Sequence, residues 1–146
     1  MMLTFYRIAF SLALASSVSI AYGYKPTFYN NSKRNELQVK MQLSGADEKV
    51  AILQPGQSIS FEIGGWCVST IVLEVTKGPL QGTVIADYLP QKDAYPFAGL
   101  RCGSFSIYIE EEFDTANGMM RLMIQDDPNG GFRKATQWKN VGTVNP

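Results

Sequence analysis

The 146-residue chain contains no histidine, and that absence removes more chemistry than any other feature. A Ser-His-Asp triad, a Cys-His pair and the usual zinc and copper ligand sets all need imidazole. Carboxylates, Lys, Tyr, Ser and Thr are the side chains left for catalysis, and neither a metal nor an organic cofactor is expected. Net charge is missing too: 13 basic residues balance 13 acidic ones. Such a chain has no field to gather phosphates, so nucleic acid is not expected as a partner. There is no internal repeat, no low-complexity tract and no linker that would justify a second domain. No apolar run reaches the ~20 residues of a spanning helix, so no integral membrane span is expected in the mature chain.

The longest apolar run, Ile8 to Val18, is interrupted only by Ser11, Ser16 and Ser17. It follows a short segment whose one charge is Arg7 and precedes small residues, the order of a secretory signal peptide. Ala21 and Gly23 suit the minus-three and minus-one positions of a cleavage site, which assigns residues 1–23 to the signal and makes Tyr24 the new N-terminus. No cysteine follows the cut to accept a lipid. Residues 24–146 retain 12 basic and 13 acidic side chains, and their length fits one domain with one core. A secreted or periplasmic destination is expected. Both cysteines, Cys67 and Cys102, fall in the exported part, where two thiols are more often a bridge than a free pair.

Leu37, Val39, Met41 and Leu43 alternate with Gln38, Lys40 and Gln42, the period of a strand with one buried and one wet face. The alternation returns at Ile59, Phe61 and Ile63, and at Phe105, Ile107 and Ile109. Between Cys67 and Val75 the chain is β-branched and apolar on both faces, which predicts a mid-sheet strand covered on each side. Further strand candidates are 28–29, 50–53, 83–88, 119–124 and 137–141. Turn chemistry separates them at Asn30 to Asn35, Gly45 to Asp47, Pro55-Gly56, Gly64-Gly65, Gly78-Pro79, Asn117-Gly118 and Asp126 to Gly131. Many short strands without a helical segment predict an all-β fold, a single antiparallel β-sandwich of immunoglobulin-like or jelly-roll type spanning 24–146.

The longest stretch without strand signals runs from Leu89 to Gly103 and ends at Cys102. A loop of that length is functional or disordered, and a disulfide at its end argues for order. It carries Tyr95, Phe97 and Arg101, with Tyr88 at its entrance and Trp66 beside the partner cysteine. Flat rings with charged hydrogen-bonders nearby suit a sugar or a protein surface. Tyr95 and Phe97 have a second reading, as a lid folded inward over an open end of the sandwich.

Three other segments have plainer accounts. Asp126, Asp127 and Asn129 offer oxygen ligands to calcium, but their spacing matches no EF-hand and ordinary turn chemistry explains them. Glu110, Glu111, Glu112 and Asp114 could supply the carboxylate pair of a glycoside hydrolase, with Glu110 and Glu112 on one face of a strand. A solvated strand end explains that cluster more simply. Asn30-Asn31-Ser32 is a glycosylation sequon in a polar turn, where the acceptor is expected to be exposed.

These observations lead to an exported, non-catalytic binding module that recognises carbohydrate or a partner protein surface through Trp66, Tyr88, Tyr95, Phe97 and Arg101. The alternatives are a structural or envelope-assembly protein acting through strand edges and, last, a histidine-free hydrolase.

Overall fold

A computed structural model of the protein describes residues 23–45, 47–88, 101–126 and 132–143. Ten strands form among the described residues, and no helix does. They are β1 (Thr27–Asn30), β2 (Glu36–Leu43), β3 (Glu48–Leu53), β4 (Ser58–Ser60), β5 (Val68–Lys77), β6 (Val84–Tyr88), β7 (Ser106–Asp114), β8 (Met119–Asp126), β9 (Phe132–Ala135) and β10 (Lys139–Asn140). One sheet has the order β3-β2-β5-β6; the other runs β10-β8-β7-β1-β4, with β9 also on β8. β9 and β10 share one edge of β8, pairing with 123–126 and 119–120 respectively.

The alternation in β2 faces Leu37, Val39, Met41 and Leu43 into the core, where they join Ile71, Leu73 and Val75 of β5. Phe28 of β1, Ile107 and Ile109 of β7, and Leu122 and Ile124 of β8 enter the same cluster from the other sheet. Phe28 meets Phe61 and Phe105 edge-on at 5.8 and 6.4 Å, the arrangement ring quadrupoles favour.

Four expectations are corrected. β1 runs parallel to β7, with Thr27 opposite Ser106 and Asn30 opposite Ile109, so the sheets are not wholly antiparallel. A period of two tells which face is buried but not which way a neighbour runs. β5 is internal as expected, yet its second face, which includes Val72 and Glu74, is only half-buried. The strand expected over 58–63 stops at Ser60. Phe61 and Ile63 remain buried, but Phe61 N–H donates to the carbonyl of Pro26, which has no N–H to return. Finally, the acidic run ends β7 at Asp114 before a turn, as expected, but it is not a solvated end: Glu110 is exposed while Glu111 to Asp114 are half-buried.

The Asn30 to Asn35 turn holds a buried polar knot instead of an exposed one. Asn30 is fully buried, and its Nδ2 donates to the carbonyls of Asn35 (2.8 Å) and Leu53 (3.0 Å). Its Oδ1 accepts from the N–H and the hydroxyl of Ser32. The sequon asparagine is therefore closed inside the fold, and a glycan there is incompatible with this structure. Asn35, also fully buried, donates to Glu111 and accepts from Leu80 N–H. Gly78, at φ 117°, lets β5 end against this knot: a Cβ there would stand 2.3 Å from the Arg34 carbonyl oxygen.

Beside the knot, the Glu36 carboxylate accepts from the Thr76 hydroxyl at 2.8 Å and from the Gln54 amide, with the Lys77 ammonium at 4.0 Å. The Thr76 bond most of all, then those of Gln54 and Lys77, hold its carboxyl below the usual carboxylate value, against the opposing effect of burial. A lowered folded-state pKa stabilises the fold above the unfolded value, and that contribution disappears as pH falls through the folded value. Thermal unfolding across the acid range should therefore show Glu36→Gln losing less stability on acidification than the wild type. Parallel profiles would show that Glu36 is not among the groups responsible.

Candidate functional site

Trp66 is held at the end of a tight turn in which its N–H donates to the Ile63 carbonyl at 3.2 Å and Gly64 adopts φ 58°. The next residue is Cys67, bonded to Cys102. The Cys67 carbonyl accepts from Ser44 N–H at 2.8 Å, tying the turn to the end of β2. Arg101 exchanges two backbone bonds with Val68, so its backbone lies beside the strand that begins two residues after Trp66. Its guanidinium sits 4.2 Å from the Phe105 ring centroid.

The Trp66 ring is 49% exposed, a large exposure for so apolar a side chain. It borders a groove of about 290 Å³ beside Leu43 and Ile63, with Asp47, Lys49 and Glu62 supplying charged and hydrogen-bonding atoms. A Cβ added at Gly45 would stand 3.9 Å from the ring, so glycine leaves that flank open. Lys25 pairs with Glu62 at 3.6 Å, but both are well exposed and the pair contributes little to stability. Chemically the groove combines an aromatic surface with both donors and acceptors.

Of the residues singled out from the sequence, Trp66 and Arg101 flank the disulfide as expected. Tyr88 closes β6, and its side chain lies outside the described residues, as do Tyr95 and Phe97. Asp127, Asn129 and the Asp126 side chain lie outside them too. Among the described residues no cluster of His, Cys, Asp or Glu could hold a metal ion.

Three of the four acids in the run, Glu111, Glu112 and Asp114, are committed to structure. Glu111 points inward to Arg34 (2.5 Å) and Asn35 (2.7 Å), and Glu112 accepts from Arg121 at 2.8 Å. Asp114 caps the turn that follows by accepting from Ala116 and Asn117, and the Asn117 side-chain bond holds its carboxyl below the usual value. Glu110 and Glu112 share a face, as the alternation requires, but Glu112 is already paired.

A larger cleft escaped sequence reasoning. It measures about 650 Å³ and lies between β6 and the β9–β10 edge, with Trp138 in its wall. The available signal was a tryptophan inside the polar stretch 134–140, a setting with no apolar partners of its own in sequence. Comparison with protein-family models, with curated proteins and with solved structures yields no match for this chain. Among the described residues, no helix is long and apolar enough to cross a membrane.

Proposed function

We propose that the protein is an exported, non-catalytic binding module that holds a carbohydrate against Trp66. One observation carries this reading: a half-exposed indole, fixed by a turn and a neighbouring disulfide, borders a groove that also presents Asp47, Lys49 and Glu62. A pyranose offers an apolar C–H face to such a ring and hydroxyls to the surrounding charges. Tyr95 and Phe97 belong to the same proposal, since their loop ends at the disulfide. Export, to a secreted or periplasmic destination, is supported by the Arg7-led apolar run and by the disulfide. The β-sandwich reading, immunoglobulin-like or jelly-roll, is supported by a chain that passes between two sheets at β1–β2, β3–β4, β4–β5 and β6–β7 around one cluster.

The test is a glycan array probed with the wild-type protein, Trp66→Ala, and a Tyr95→Ala, Phe97→Ala variant. A specific signal lost in Trp66→Ala, with melting behaviour unchanged, is the expected result; its loss should correspond to about tenfold weaker binding or more. A signal indifferent to Trp66 would remove the site.

A second reading, a structural or assembly role through strand edges, is favoured by β3. Among the described residues this is an edge strand of its sheet, yet Val50 and Ile52 on it are 47% and 46% exposed. Unpaired edges with apolar side chains invite a further strand. A blank array together with concentration-dependent assembly would transfer the function to this edge.

A further inference from the structure

We propose that the cleft between β6 and the β9–β10 edge is a second ligand site, selective for an acidic oligosaccharide. Its walls come from different sheets: Thr83, Val84 and Ile85 on one side, and residues 134–139 on the other. Lys134 and Lys139 are both exposed lining residues, and no described lining residue is acidic. In a chain with balanced charge, this gives the cleft a local positive sign that favours a carboxylate or sulfate ligand.

The second component is Trp138, 42% exposed. Arg121 lies 4.4 Å from its ring centroid, and Glu112 holds that guanidinium at 2.8 Å. A carboxylate–guanidinium–indole stack thus sets the ring before any ligand arrives, which lowers the ordering cost of binding. The backbone on either side is pinned as well. Thr136 exchanges two bonds with Leu122, from its own N–H and through its Oγ1, and Lys139 pairs with Met120 on β8.

Val84, 51% exposed on the opposite wall, adds apolar surface facing the same space. The Lys139 ammonium spans the walls to the Gln81 carbonyl at 3.4 Å, a long and exposed bond that a ligand carboxylate can replace at small cost. A ring platform flanked by two lysines, with Thr136 and Gln137 between them, fits a sugar acid: its C–H face rests on the indole and its carboxylate meets the ammonium groups. The cleft shares no lining residue with the Trp66 groove.

The chain has two tryptophans, so Trp66→Phe leaves Trp138 as the sole indole reporter and silences the other site's signal. This variant of the full protein would be titrated with oligogalacturonate, with a neutral malto-oligosaccharide and with poly-glutamate. The expected result is a saturable change in Trp138 emission with oligogalacturonate alone, weakening as salt is added. Lys134→Gln and Lys139→Gln should each reduce affinity about two- to fivefold at low salt, within the range of an exposed ion pair.

Both lysines are exposed, so these variants should melt like their parent, and that is to be checked alongside. No emission change with oligogalacturonate, an equal response to the neutral sugar, or undiminished binding in the double lysine variant would overturn the proposal. An equal response to poly-glutamate would overturn the sugar assignment in favour of an acidic peptide.

Discussion

Replacing Asn30 by alanine should destabilise the protein by about 3 to 5 kcal/mol, because one truncation orphans several buried polar groups at once. The Asn30 amide donates to two main-chain carbonyls, those of Asn35 and Leu53, and its oxygen accepts from Ser32 N–H and Oγ. No water can take over these bonds without opening a site whose members Asn30 and Asn35 are both fully buried. Asn30→Asp should also be strongly destabilising, since a carboxylate keeps the acceptor role but would face two carbonyl oxygens with nothing to donate. Denaturant unfolding of both variants measures the effect. A loss below about 1 kcal/mol for Asn30→Ala would show that the knot reorganises around the gap.

The second large effect concerns the disulfide. Cys67 and Cys102 are separated by 35 positions, and the chain-entropy relation for such a loop gives about 4 kcal/mol of stabilisation. Cys67→Ser with Cys102→Ser should lower the unfolding free energy by roughly that amount, measured by denaturant titration beside the wild type with and without reductant. Because the bridge also fixes the residue after Trp66, the double variant should lose affinity at the Trp66 groove before it loses its fold. Wild-type melting behaviour in the variant would show that the Val68–Arg101 backbone pairing alone holds the two segments together.

Much of the scaffold was legible because one-sided burial leaves a period of two in the sequence. β2 is the clearest case: each residue's face was readable from Leu37 to Leu43, and the structure places those four apolar side chains in the core. β5 was readable as internal for its β-branched residues. What period cannot carry is direction, and the parallel β1–β7 pairing left no mark on either strand. Composition also misread the Asn30 to Asn35 segment. Asn, Ser, Lys and Arg look like solvent-facing turn material, yet Asn30, Ser32 and Asn35 are buried because they satisfy one another and the backbone around them. Self-satisfied polar clusters look from sequence like exposed ones.

The candidate sites were legible in proportion to how local they are. Trp66 could be placed beside the bridge because it precedes Cys67, and Glu110 and Glu112 could be placed on one face by alternation. The Trp138 cleft depends on β6 of one sheet and β9–β10 of the other lying side by side. It is a property of tertiary arrangement, and only the isolated tryptophan hinted at it.

The parallel pairing of β1 with β7 also imposes an order of events on the chain. One sheet, β3-β2-β5-β6, is built wholly from residues between 36 and 88, whereas β1 at 27–30 must wait for residues 106–109 to complete its second edge. Contacts so distant in sequence carry a large loop-closure penalty and are met late. By residue 88 all the strands of one sheet are present while the other sheet still lacks its middle. The bond from Cys67 to Cys102 draws residue 106 toward the strands already formed, so oxidation shortens the loop that closure of the second sheet must span.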